Sequence, residues 1–281
     1  MNIQGYYINL DNSIDRRRLI EANLAQEGMG EYFTRFSACR GDDRPATITP
    51  GELGCYLSHQ AIIESARDDS HTFILEDDAI LPPGFRKRFF SIMNNIIDQP
   101  WDIVFLCQVV GFHELPLLAN LISIRQKLQA QQSETQESQY ALLDASTYYS
   151  WSTAAYVIRA GAQEKIRQCL KHDSAHTYHQ PIDALYHHAV RDGRIIAKCV
   201  MPYQVGIRDI ETTLSDRANM SEHYLNAMLV NLFVEGMNPS PLYEKARSGF
   251  DQPPLNGSVF VISQMHYRIL LDMIQRADAG P

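Results

Sequence analysis

His71-Thr72-Phe73-Ile74-Leu75-Glu76-Asp77-Asp78-Ala79 is a short, mostly apolar run that stops abruptly in three consecutive carboxylates. Its length and its aromatic and β-branched members predict a buried strand, central in a sheet and parallel to its neighbours. Open α/β sheets place ligand sites beyond the carboxyl ends of their strands, which is where these acids fall. Three packed like charges repel, so the cluster calls for a counter-cation. A divalent metal carrying a phosphorylated ligand suits hard oxygen donors of this kind. A solvated acidic turn is the plain alternative, and the flanking segments decide between the two.

Upstream, Tyr6-Tyr7-Ile8-Asn9-Leu10 predicts a first strand ending in Asp11-Asn12-Ser13. Ser13 can cap the helix that follows, with Ile20 and Leu24 at core spacing. Gly28-Met29-Gly30 closes that helix, and Phe33 to Phe36 reads as a second short strand. Thr49-Pro50-Gly51-Glu52 is a helix start: Thr49 caps, Pro50 takes the first helical position and Glu52 reaches back as a capping box. The spacing predicts a helix to about Arg67, with Leu53, Leu57, Ala61 and Ile62 inward.

Downstream, Pro82-Pro83-Gly84 breaks the chain before a helix expected over Phe85 to Ile97. Trp101 to Leu106 reads as another buried strand, and alternation resumes with a strand at Thr153–Ile158, a helix at Ala160–Leu170 and a strand at Ile195–Val200. Such β/α alternation implies the α/β class, an open sheet flanked by helices. Residues 111–147 differ: Gln126 to Gln139 is rich in Gln, Ser and Glu, which reads as a solvated helix or mobile loop in a surface insertion. Leu225–Phe233 and Val259–Ile274 look helical.

The chain of 281 residues is 45% apolar and 21% charged, ordinary values for a soluble globular protein. A net charge of −8 argues against a general nucleic-acid binder. The start lacks the features of a signal peptide and no run is long enough to span a bilayer, so a cytoplasmic protein is expected. Five scattered cysteines without CxxC spacing read as reduced, buried side chains rather than disulfides or a zinc site. His172, His176, His179, His187 and His188 lack a nearby Cys or an HExxH pattern and read as solvated helix-end residues. No GxxxxGK[ST] or GxGxxG occurs, which disfavours a P-loop nucleotidase and a dinucleotide oxidoreductase. Arg86-Lys87-Arg88, beside Phe85, Phe89 and Phe90, is an amphipathic helix face, with contact to an anionic membrane surface as the alternative.

Taken together, the segments resemble glycosyltransferase family 25, the lipooligosaccharide and lipopolysaccharide galactosyltransferase group. The resemblance lies in Tyr7-Ile8-Asn9-Leu10-Asp11 with Ser13 and Arg16-Arg17, and in Phe36-Ser37-Ala38 with Gly41. It lies further in Gly51-Glu52-Leu53-Gly54-Cys55-Tyr56-Leu57-Ser58-His59 and in Leu75-Glu76-Asp77-Asp78, and more weakly in Trp101–Val104, Thr153–Ile158 and Pro181-Ile182-Asp183. The family usually carries Gly-Thr where this chain has Ser152-Thr153, and an acidic residue where Arg40 stands.

The resemblance implies a GT-A type, Rossmann-like fold over residues 1–215, followed by a helical extension over 216–281. It implies inverting transfer of galactose from UDP-galactose, usually as a β-1,4 linkage, to an oligosaccharide or lipid-linked saccharide in surface glycan synthesis at the inner face of the membrane. A different donor sugar and a degenerate binding module are the alternatives. Mn2+ or Mg2+ at Asp78, with Glu76 as second ligand or ribose contact, would neutralise the diphosphate leaving group. Strand alternation predicts that Glu76 and Asp78 converge while Asp77 points away. Asn9, Leu10, Asp11, Arg16, His59 and Asp77 are the expected donor contacts. Inversion needs one further carboxylate as base, whereas a glycosidase needs an acid and a base. Asp183, Asp102 and Asp209 are the candidates, with Asp183 preferred for its match to the family segment.

Overall fold

Seven strands form the central sheet of the computed structural model, which describes residues 1–41, 46–110, 114–135, 139–173, 178–208, 226, 227 and 229–237. Strand β1 (Ile3–Asn9) is followed by helix α1 (Ile14–Gln26), β2 (Phe33–Ser37), α2 (Pro50–Ser65) and β3 (His71–Glu76). Next come β4 (Ala79–Ile80), α3 (Phe85–Asn95), β5 (Ile103–Phe105), α4 (Leu115–Thr135), β6 (Ala141–Asp144) and α5 (Ala145–Tyr148). The order ends with β7 (Ala155–Ile158), α6 (Gln163–Asp173), α7 (Ile182–Arg191), β8 (Ala197–Met201) and β9 (Gly206–Ile207). The sheet runs β2-β1-β3-β7-β5-β8-β6, while β4 and β9 pair separately.

The sheet is mostly parallel, with two exceptions. β7 is antiparallel to both β3 and β5, and β6 closes the edge antiparallel to β8. The central β3 is therefore parallel to β1 but antiparallel to β7, which corrects the expectation of parallel neighbours on both sides. Period-two alternation sorts its side chains between two cores. Phe73 and Leu75 enter the layer shared with Ile20, Leu24, Phe85 and Phe89, while Ile74 enters the layer shared with Leu53, Ile62, Ile166 and Leu185. Helices thus cover both faces, as the α/β pattern requires.

Helix α2 starts at the expected capping box: the Thr49 side chain accepts from Glu52 N, and Glu52 accepts from Thr49 N at 2.8 Å. Ser13 precedes α1 but makes no side-chain cap. The polar region 111–147 is not a solvated appendage. α4 buries Leu118, Leu121 and Leu128 in the main core, and β6 is a sheet strand. Gln129 and Gln131 lie exposed on its outer face and mask the apolar positions in the sequence. In α3, Phe89 stacks on Phe73 and Phe85 packs tilted against it inside the core, and Arg88 donates to the Pro83 carbonyl at 2.7 Å, so Phe85 and Phe89 are not free to meet a membrane. No helix among the described residues is long and apolar enough to cross a membrane.

The described part of 216–281 packs on the same body. Ala227, Val230, Phe233 and Val234 join the main core, and the Asn231 amide bonds both N–H and C=O of Ile207. Val259–Ile274 lies outside the described residues.

Candidate active site

The carboxyl ends of β1 and β3 lie side by side, with Ile8 in register with Glu76. The amino end of β7 completes this edge, where Glu76 N donates to Ala154 O at 2.9 Å. A pocket of about 370 Å3 opens here. Its walls are Ile8 to Leu10, Asn12 and Arg16 on one side, and residues 38–41 with Gly51, Gly54, Cys55, Ser58 and His59 on the other. Glu76, Asp77 and Asp78 line it as well.

Strand β3 ends at Glu76, so Asp77 and Asp78 belong to the turn that follows and strand alternation no longer governs them. Asp77 does not point away, as alternation predicts, but lines the pocket with the other two. Its carboxylate accepts from Asn9 Nδ2 at 2.7 Å and from Arg16 Nη1 at 3.0 Å. Two donors, one of them cationic, keep this charge compensated.

Glu76 turns the other way. Its Oε1 accepts from Thr153 Oγ1 at 2.9 Å and stands 3.5 Å from His59 Nε2. Burial pushes the Glu76 carboxyl up, but the neighbouring imidazole and the Thr153 hydroxyl outweigh it and leave it below its usual range. His59 is fully buried, and its Nδ1 meets Tyr156 OH at 2.8 Å; Tyr156 OH in turn lies 3.3 Å from Tyr186 OH.

Asp78 is the uncompensated member. Its Oδ1 is buried without a hydrogen-bond partner. Burial, then the charges of Glu76 and Asp77, push its carboxyl up to about 7. The turn is held from behind: Arg208 N donates to Asp78 O at 2.8 Å beside the β4–β9 pairing.

Asp183 stands at the start of α7 and does not line the pocket itself. Its carboxylate accepts from Ala184 N at 2.8 Å and from Ser152 N at 3.3 Å. Burial raises its pKa against those two donors, and the charge of Glu76 adds to the rise. Both the helix-terminal position and the raised affinity for a proton are therefore present in one residue.

Residues 2–185 match the family model described as Glycosyltransferase family 25 (LPS biosynthesis protein). The chain belongs to glycosyltransferase family 25. Among its relatives, the rat "Probable inactive glycosyltransferase 25 family member 3" is 38% identical over 64 residues, 21% of this chain and 11% of that protein. Human "Procollagen galactosyltransferase 2" is 26% identical over 124 residues, 42% of this chain and 17% of the relative. Zebrafish "Procollagen galactosyltransferase 1" is 29% identical over 126 residues, 43% and 18% of the two chains. The chain thus spans less than a fifth of the length of these relatives.

Within this family 25 chain, the structure gathers Asn9, Leu10, Arg16, His59, Glu76, Asp77 and Asp78 at one pocket and leaves Asp11 outside it. Asp11 is instead exposed, accepting from Arg35 Nη2 at 2.5 Å and Ser37 Oγ at 2.8 Å. Asp102, the second candidate base, precedes β5 at the opposite edge of the sheet. There it pairs with Lys165 Nζ at 2.5 Å and accepts from Ile196 N at 2.7 Å, a supporting role. Asp209 and His176 lie outside the described residues. His187 and His188 are engaged by the Ser150 carbonyl and by Gln180.

Sequence reasoning missed Thr153, Tyr156 and Cys55 as members of the site. Thr153 and Tyr156 face Glu76 and His59 only because β7 runs antiparallel beside β3, a pairing that no local pattern announces. Cys55 had a usable signal: it stands four residues before His59 on one helix, and so on the same face.

Proposed function

We propose that the protein is an inverting glycosyltransferase on a GT-A type fold, moving galactose from UDP-galactose to a saccharide acceptor with Mn2+ or Mg2+ at Asp78 and Glu76. The observation that carries this reading is the buried, unpartnered Oδ1 of Asp78 beside two further carboxylates in an open pocket at the carboxyl edge of the sheet. An uncompensated charge in that position is costly, and hard oxygen donors suit either cation. The residues present therefore fit the group. Bound there, a divalent cation supplies positive charge against the diphosphate leaving group.

The remaining work falls to the chain's own side chains. Asn9 and Leu10 form the wall for the nucleotide, and Arg16, anchored on Asp77, directs its guanidinium toward the phosphates. Asp183 takes the proton of the acceptor hydroxyl as that oxygen bonds the anomeric carbon from the face opposite the departing UDP, which leaves with the bond's electron pair. A carboxyl with its pKa raised by burial is a stronger base for this step than an exposed one. Residues 1–215 carry this chemistry, with 216–281 as a helical extension. The acceptor is an oligosaccharide or lipid-linked saccharide of a surface glycan, joined β-1,4, and the reaction takes place in the cytoplasm at the inner face of the membrane.

A second reading is supported by the relatives named inactive: a glycan- or nucleotide-binding module that performs no transfer. A panel of nucleotide sugars, assayed for UDP release with and without Mn2+ and acceptor saccharides, separates the two. Metal-dependent release from UDP-galactose supports transfer, and release from a glucosyl or N-acetylhexosaminyl donor reassigns the sugar. UDP binding that ignores Mn2+, with no release from any donor, favours the binding module.

A further inference from the structure

The geometry points to a second cation site in the same cleft, formed by Cys55 Sγ, His59 Nε2 and Glu76 and selective for zinc over manganese or magnesium. The three ligand atoms all lie within 4.8 Å of one another. Cys55 and His59 sit four residues apart on α2, and Glu76 faces them from the end of β3. Metal–ligand bonds of roughly 2.0–2.3 Å imply separations of about 3.5 Å, so a small rotation of the Cys55 and Glu76 side chains closes the set.

A second observation concerns His59 itself. It is fully buried, and its Nε2 makes no hydrogen bond, with Glu76 Oε1 standing 3.5 Å away. A buried ring nitrogen held this loosely gains when an ion bridges it to the carboxylate. Its other nitrogen is already fixed by Tyr156 OH at 2.8 Å, and Tyr156 OH can pass its own proton toward Tyr186 OH at 3.3 Å. Without metal, a proton on Nε2 faces Glu76 and holds that carboxyl down; when metal binds, Nδ1 donates to Tyr156 OH and the Nε2 lone pair turns to the ion, the arrangement that metal-bound histidines use. Thr153 Oγ1 steadies Glu76 in the same way, at 2.9 Å.

The donor set decides the metal. A thiolate with an imidazole and one carboxylate prefers zinc, whereas manganese and magnesium favour oxygen-only sets such as Asp78 and Glu76 supply. Three protein ligands leave a fourth position, and all three residues line the open pocket, so both metal and water can enter. Binding replaces the thiol proton of Cys55, which is released to solvent. The site borrows Glu76 from the proposed donor pocket but does not depend on sugar transfer. Zinc held here withdraws Glu76 from any oxygen-bound cation and so inhibits the transferase.

The test uses Co2+ as an optical stand-in for zinc, titrated into the full, reduced, metal-free protein. A thiolate-to-cobalt band in the near ultraviolet, with intense visible bands of a tetrahedral ion, is expected, and Zn2+ should bleach both where excess Mg2+ does not. Cys55→Ser should abolish the near-ultraviolet band. It should also weaken cobalt binding by more than the about 10–100-fold that losing a supporting hydrogen bond costs. Cys39→Ser, a change at another cysteine of the pocket, and Asp78→Asn should keep the band. Absence of any band in the wild type, or its survival in Cys55→Ser, overturns the assignment. Should Cys55→Ser unfold by circular dichroism, Cys55→Ala and His59→Gln carry the same reading. These spectra need no donor or acceptor, so their failure is distinct from failure of the transferase reading.

Discussion

Ser152 donates its backbone N–H to Asp183 Oδ2 at 3.3 Å while holding φ at 105°, in the left-handed half of backbone space. The strand entering β7 is thereby bent so that Thr153 reaches Glu76 while Ser152 N reaches Asp183. Glycine adopts this φ without strain, and the family usually carries glycine at this position. Ser152→Gly removes the side-chain acceptor of Ala154 N but relieves the backbone, so stability should stay within about 1 kcal/mol of wild type. Ser152→Val, β-branched at a positive φ, should cost about 2 kcal/mol. Urea unfolding of the two variants checks the order. A Val variant as stable as wild type would show that the bend is not enforced.

Asp183→Asn keeps the shape and the bond from Ala184 N to Oδ1, loses the longer one from Ser152 N to Oδ2, and cannot accept a proton. Under the proposed role, kcat should fall by about 100-fold or more, with the affinity for UDP changed little. Steady-state kinetics together with calorimetric titration of UDP measure both. An equal loss in the two quantities assigns Asp183 to binding instead.

Asp78 yields a prediction about stability that needs no substrate. Its carboxyl is pushed up to about 7 in the fold, against an ordinary value of 3.8. Between those values the folded state holds more protons than the unfolded one. The contribution of Asp78 to stability is therefore full below about pH 4 and is lost as pH rises to about 7. At pH 8 without metal, Asp78→Asn should be more stable than wild type by about 1–2 kcal/mol, and at pH 4 the difference should shrink toward zero. Mn2+ should then raise the melting temperature of the wild type and not of the variant. Thermal unfolding at the two pH values, with and without Mn2+, decides; a variant less stable at pH 8 removes the claim of an uncompensated charge.

How much of this was legible beforehand follows from the range of the interactions. The capping box at Thr49 and Glu52 and the apolar run into Glu76 are local patterns, and both define their elements correctly. The pairing of β7 between β3 and β5 joins segments about eighty and fifty residues apart in sequence, so neither its direction nor the contacts of Thr153 could be read from spacing. The same limit applies to β6 and α4. Their polar residues hide an apolar minority that only the sheet edge and the neighbouring helices reveal. Asp77 was misplaced for a different reason: the strand ends at Glu76, two residues short of the Asp78 that alternation had to reach, and Asn9 with Arg16 draws the carboxylate inward.

The wall of the pocket rests on a contact between two backbones, and a methyl group tests it. A Cβ on Gly54 would lie 2.7 Å from the Cys39 carbonyl oxygen, and one on Gly41 would lie 2.2 Å from the Pro50 carbonyl. Ser58 fastens the same approach, its Oγ accepting from Cys39 N at 2.8 Å and donating to Gly54 O at 2.6 Å. Neither obstacle is the end of a flexible side chain, so Gly54→Ala must push residues 38–41 off α2. The strain should cost about 1–3 kcal/mol. Because Ala38 to Gly41 form one wall of the pocket, the affinity for UDP should fall as well. Calorimetry of UDP binding beside thermal unfolding gives both numbers. Loss of stability with undiminished UDP affinity would place the nucleotide elsewhere along the sheet edge.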